Sequence, residues 1–104
     1  MIPFQEQIQA ASGILKQKFN PQRIVLFGSV AKGCARKESD IDLCVVLPCQ
    51  DKKAMTINMQ IALCEVIDRD IDIIILTPDE WDRNRNNPAT FTGLMERTGV
   101  VLHG

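Results

Sequence analysis

Residues 23–43 read RIVLFGSVAKGCARKESDIDL, and this stretch decides the architecture. Arg23 to Phe27 is a short β-rich run that stops at Gly28-Ser29, and the small residues from there through Cys34 suit one short helix. Charged and polar residues from Arg36 to Ser39 form a loop, and a second strand runs from Asp40 to Leu47, where Pro48 ends it. Asp40 and Asp42 are two apart on that strand, so their side chains leave one face while Ile41 and Leu43 leave the other.

Two carboxylates side by side repel. A solvated strand end tolerates that, but a pair of hard divalent cations is the attractive reason for it, since Mg²⁺ prefers oxygen ligands and completes its shell with substrate phosphates. The turn before the pair adds specificity. Backbone N–H groups at a strand-to-helix turn point at bound anions, Gly28 lets a phosphate approach the main chain, and the Ser29 hydroxyl supplies one more hydrogen bond. Taken alone, Gly28-Ser29 reads as a tight turn with a serine cap. The run Gly28 to Gly33 half matches a Walker A loop, but Cys34-Ala35 stands where lysine and a hydroxyl residue are required, which excludes a P-loop.

Working outward, Phe4, Ile8, Ala11, Leu15 and Phe19 trace one apolar stripe on an N-terminal helix that Asn20-Pro21 ends. Lys53 to Ile67 lack Gly and Pro and carry Ile57, Ile61 and Cys64 at helical spacing, which predicts a second long helix. Ile71 to Leu76 is a β-branched run that fits a buried strand. Thr77-Pro78-Asp79-Glu80 is a helix start with a capping box. Beyond a polar break at Asn84 to Pro88, a helix from Ala89 to Thr98 buries Phe91, Leu94 and Met95, stops at Gly99 and leads to a strand from Val100 to Leu102.

A third acid interrupts the isoleucine run. An unpaired carboxylate buried at Asp72 is costly, and metal coordination resolves the conflict. Asp70 has the same parity, so alternation does not choose between them; an edge-strand carboxylate facing water is the plain alternative for Asp72. Trp81, Arg83 and Arg85 have plain roles as hydrophobic anchor and solvated charges ahead of lining a nucleotide.

Composition narrows the function classes. The 104 residues make one domain, 1–104, and 45% hydrophobic with 24% charged residues is ordinary globular composition. A net charge of −1 leaves no footprint for duplex nucleic acid, so positive charge for handling phosphates has to come from metal ions. The longest apolar run, Leu43 to Leu47, is far below the roughly 20 residues of a membrane span, and Glu6 is out of place in a secretory leader, so a cytoplasmic protein is expected. Cys34, Cys44, Cys49 and Cys64 form no C-x-x-C pair and read as packing residues, Cys44 and Cys64 inside apolar segments. His103 reads as part of a frayed or partner-facing end.

Leu26-Phe27-Gly28-Ser29, ten intervening residues and Asp40-Ile41-Asp42 resemble the G-S-x10-D-x-D signature of the DNA polymerase β-like nucleotidyltransferase superfamily, and the length is similar to its minimal nucleotidyltransferase branch. The resemblance implies an α/β (α+β) nucleotidyltransferase fold, a small mixed sheet flanked by helices. It implies that Gly28 and Ser29 hold a nucleoside triphosphate, that Asp40 and Asp42 ligate two Mg²⁺ ions, and, by the apolar residues around the family's third acid, that Asp72 completes the set. Lys32 replaces the family's more frequent arginine as a candidate for triphosphate charge, giving a point charge in place of a bidentate fork. Minimal nucleotidyltransferases are antitoxins paired with HEPN-domain ribonuclease toxins, and several transfer AMP from ATP to a toxin tyrosine; this chain has no tyrosine, so such an acceptor belongs to another molecule. The alternatives are a contact-only neutralising module and transfer to a small molecule or RNA end. Self-association is left open.

Overall fold

The computed structural model describes residues 4–31, 40–68 and 70–104. Helix α1, Gln5–Phe19, buries Ile8, Ala11 and Leu15 and ends where Asn20 turns left-handed (φ 49°), its N–H donating to the Lys16 carbonyl. Strand β1 is Arg23–Phe27 and the one-turn helix α2 is Gly28–Ala31. Strand β2 is Ile41–Val46, helix α3 Lys52–Leu63 and strand β3 Ile71–Leu76. Helices α4, Pro78–Asn84, and α5, Phe91–Thr98, precede strand β4, Val100–His103.

The four strands pair in the order β3-β2-β1-β4. β1 runs antiparallel to β2 and β4, whereas β2 and β3 are parallel and are joined through α3. The sheet is therefore mixed, and the chain is a single small α+β domain, as the sequence implies. β2 is central and is buried continuously from Leu43 to Val46. A central strand covered on both faces has to be apolar on both, which is why only its first residues, at Asp42, have room for polar chemistry.

One face of the sheet, formed by Ile24, Leu26, Ile41, Leu43, Val45, Ile73 and Ile75, packs on Ile8, Ala11 and Leu15 of α1 and on Met59 and Leu63 of α3. The opposite face carries Val25, Cys44 and Val46 beneath Trp81 of α4 and Met95 of α5. Each fully buried Leu or Ile contributes about 1.5–3 kcal/mol, so the α1/α3 side dominates the stability.

The sequence places the helices and strands well and two helix faces wrongly. Met59 and Leu63 face the core, while Ile57 (47% exposed) and Ile61 (65%) face outward, the reverse of the predicted stripe. α3 stops at Leu63 instead of Ile67, and Cys64 is exposed, its thiol donating to the Ile61 carbonyl at 3.1 Å, so it is no packing residue. α5 begins at Phe91, capped by Thr90, and buries Met95 but leaves Phe91 and Leu94 half-exposed. His103 is the last residue of β4, paired with Ile24, and is not frayed. Cys44 is buried as expected, and burial pushes its thiol up to about 12, which keeps it unreactive. Cys34 and Lys32 lie outside the described residues. Among the described residues no helix is long and apolar enough to cross a membrane.

Candidate active site

The β1 strand ends on Gly28, whose backbone lies at φ +77°, a region that side-chain-bearing residues rarely adopt. A Cβ there would collide with Oδ2 of Asp42. Glycine is thus required twice, once for the turn and once for the carboxylate that leans against it. Ser29 follows as the second residue of α2.

Register brings the acids together. Asp42 is the pairing partner of Phe27 on β1 and of Asp72 on β3, so Phe27, Asp42 and Asp72 form one rung across three strands. Neighbouring strands are about 4.8 Å apart, and side chains at paired positions of a parallel ladder leave the same face. Asp42 and Asp72 therefore stand side by side, with half-buried Asp40 just before β2.

The electrostatics report the same convergence. The Asp42 carboxyl is raised from 3.8 to about 6: burial is the largest cause, followed by the Asp72 charge, a hydrogen bond with the Asp72 carboxyl and the Asp40 charge. The Asp42 carboxyl thus feels the charge of both other predicted acids, Asp72 more strongly than Asp40. Asp70 takes no part in this; it is exposed, and its carbonyl accepts from the Ile41 N–H at 3.1 Å, fastening the start of β3 to β2.

The buried-carboxylate premise for Asp72 is corrected by the sheet order. β3 is an edge strand and Asp72 is exposed; the desolvated member of the pair is Asp42. Among the described residues no group of three or more acid, thiol or imidazole side chains is arranged to hold a metal ion. Mg²⁺ needs only one or two protein carboxylates, taking its remaining ligands from water and substrate phosphates, and the Asp42–Asp72 rung offers two. Oxygen donors in mutual repulsion, with one holding a proton it releases near neutrality, fit a hard divalent cation.

The α4 features are structural. Thr77 Oγ1 accepts from the Glu80 N–H at 3.3 Å and Glu80 Oε1 accepts from the Thr77 N–H at 2.9 Å, completing the predicted capping box. A hydrogen bond from Lys52 and that from Thr77 hold the Glu80 carboxyl down to about 2. Trp81 is 2% exposed, with the Arg23 guanidinium 5.3 Å above its ring. Arg85 pairs with Glu96 at 2.7 Å, and Arg83 is exposed. Arg23 begins the strand that Phe27 ends, placing this cluster roughly 13 Å along β1 from the acids. It anchors α4 and α5 away from the site.

Sequence reasoning missed the flank of the site. The Phe91 and Phe27 rings meet edge to face, centroids 5.3 Å apart at 89°. Phe27, Gly28, Phe91, Leu94, Met95 and Thr98 line an open cleft of about 270 Å³. Phe91, Leu94 and Met95 stand at i, i+3 and i+4 on a single helix face, so spacing carried no signal that the first two would stay uncovered.

The polymerase beta nucleotidyltransferase family (Polbeta) matches residues 9–97 of this chain. No curated protein matches it. Solved structures share its fold, among them two toxin-antitoxin chains. A chain of a toxin-antitoxin complex crystallised with AMP-PNP aligns with TM-score 0.67 and 23% identity over 94% of this chain and 73% of its own length. A chain of the toxin-antitoxin MntA-HpeT, crystallised as a tyrosine-to-alanine mutant, aligns with TM-score 0.60 and 23% identity over 88% of this chain and 68% of its own.

Proposed function

Since this chain belongs to the polymerase β nucleotidyltransferase family, we propose that it is a Mg²⁺-dependent enzyme transferring AMP from ATP to a hydroxyl group, a tyrosine of a partner HEPN-type ribonuclease toxin, and that it acts as the antitoxin of that pair. The observation that carries the reading is the Asp42–Asp72 rung set against Gly28, with Asp40 beside it. The fold relatives add support: one holds AMP-PNP, an ATP analogue, and both are toxin-antitoxin assemblies. The cytoplasm is the compartment in which the thiols of Cys44, Cys49 and Cys64 stay reduced.

Asp40, Asp42 and Asp72 would hold two Mg²⁺ ions, which when bound lower the pKa of an attacking hydroxyl and neutralise charge on departing pyrophosphate. Gly28 leaves the main chain open to the triphosphate, and the Ser29 hydroxyl and Lys32 ammonium would donate to its oxygens. Asp72, exposed on the edge strand, accepts the proton of the incoming hydroxyl. The acceptor tyrosine is supplied in trans, because this chain contains none.

The test is to incubate the chain with its co-purified partner, ATP and Mg²⁺ and to look for AMP on a partner tyrosine by mass spectrometry. Adenylylated partner, absent with Asp42→Ala, is the expected result. Full toxin neutralisation by Asp40→Ala plus Asp42→Ala with no adduct from the native protein would replace the enzyme by a contact-only antitoxin. Label on RNA or a small molecule without a protein partner would redirect the acceptor.

A further inference from the structure

The cleft between the end of β1 and α5 has no part in the phosphate chemistry just described, yet it shares a wall with it. Gly28 lines the cleft on one side and abuts Asp42 on the other. Its remaining side-chain walls are the rings of Phe27 and Phe91 and the side chains of Leu94, Met95 and Thr98. Phe91 is 49% exposed and Leu94 43%, although the same helix buries Met95 fully. About 270 Å³ lies just under the usual range for small-molecule pockets, room for a planar ring system and not for a whole nucleotide.

We propose that this cleft receives the nucleobase of the donor nucleotide, with Phe91 as its stacking surface, and that it accepts different bases with little discrimination. The proposal rests on the nucleotidyltransferase reading and names the substrate contact that reading leaves open. A triphosphate seated at Gly28 has to place its base within the reach of one ribose, and an apolar cleft opens at that glycine. An acceptor hydroxyl approaches from the side opposite the departing pyrophosphate, away from the triphosphate wall, so the cleft lies on the donor's side of the reaction. Poor discrimination follows from the lining. The one hydroxyl among the lining side chains, that of Thr98, already donates to the Leu94 carbonyl at 2.8 Å. Sites that do not hydrogen-bond a ring substituent reject its variants weakly, whereas aromatic stacking serves every base.

Calorimetry with Mg²⁺ tests this using the α,β-methylene analogues of ATP and GTP, which cannot transfer, and inorganic tripolyphosphate, which has no base. In the native protein the two analogues should bind within about fivefold of each other and both more tightly than tripolyphosphate. Phe91→Ala should weaken both analogues on the order of tenfold and leave tripolyphosphate unchanged, and Phe91→Tyr should restore them. Leu94→Ala, a smaller change in the same α5 wall, should weaken the analogues in the same selective way, and circular dichroism verifies that each variant is folded. Equal affinity for analogues and tripolyphosphate, uniform weakening of all three by Phe91→Ala, or a preference for one base above about a hundredfold overturns the cleft assignment while leaving the triphosphate site intact. No binding of any of the three ligands overturns both readings.

Discussion

The two faces of the sheet are covered unequally. On the α1/α3 side seven strand side chains interlock with two helices along the full length of β1, β2 and β3. On the α4/α5 side Trp81 and Met95 cover Val25, Cys44 and Val46, and the cover stops short of Asp42 and Asp72. Asp42 and Cys44 make the contrast sharp: two apart on one strand and on one face, one is a half-buried acid raised to about 6 and the other a fully buried thiol held near 12. One face holds the molecule together, and the other, left open at one end, is free to carry chemistry that would destabilise a core.

With that division of labour, the two faces should respond to substitution in different measurements. Asp42→Ala should abolish transfer, a loss on the order of a thousandfold or more, because metal charge stabilisation supplies several kcal/mol, while urea unfolding shows no destabilisation. Leu43→Ala, its neighbour pointing the other way, should cost about 2–5 kcal/mol in the same unfolding measurement and leave the rate per folded molecule near native. Gly28→Ala crosses the division. Strain at φ +77° and the collision with Asp42 should lower stability by about 1–2 kcal/mol and nucleotide affinity at least tenfold, read by denaturation and calorimetry together.

The acid pair predicts a pH effect of smaller size. A carboxyl raised from 3.8 when unfolded to about 6 when folded binds its proton more tightly in the native state, so the metal-free protein gains stability as pH falls from about 6 toward 3.8. Asp42→Asn should therefore be more stable than the native chain at pH 7 by about 1 kcal/mol, after allowance for solvent screening of a half-exposed site, and the advantage should vanish near pH 4. Mg²⁺ affinity should run the opposite way, falling as pH drops below about 6. An advantage of Asp42→Asn that does not depend on pH would sink the convergence of the acids. The smallest effect lies far from either comparison: Gly13 sits exposed inside α1 with open space where a Cβ would go, so Gly13→Ala should add about 0.5–1 kcal/mol with activity untouched.

What could be read in the sequence was mostly local. The Thr77–Glu80 box, the stop at Asn20 and the β1-Gly28 turn depend on residues a few positions apart, and all three stand as read. Choosing a helix face is not local. α3 carries two apolar rows, Ile57 with Ile61 and Met59 with Leu63, and spacing accommodates either; packing against α1 and β3 selects the methionine row. Phe91 and Leu94 fail for the same reason, since only the position of α5 over the end of β1 decides which of its apolar side chains are covered. At the site, the strand parity of Asp40, Asp42 and Asp72 was legible, because alternation is a property of one strand. Which acid loses its water was not, because that depends on β3 being an edge and β2 being central.

The parallel rung joining Asp42 to Asp72 also bears on how such a chain can drift over evolutionary time. Insertions between Leu47 and Ile71 only change the length of a helical connection, whereas one residue gained or lost within Ile71–Leu76 ahead of the acid would swing Asp72 through to the α1/α3 side and present an isoleucine in its place. Length variation among descendants should accordingly gather around α3 and be purged from β3, leaving the strand as the ruler against which the rest of the molecule is free to stretch.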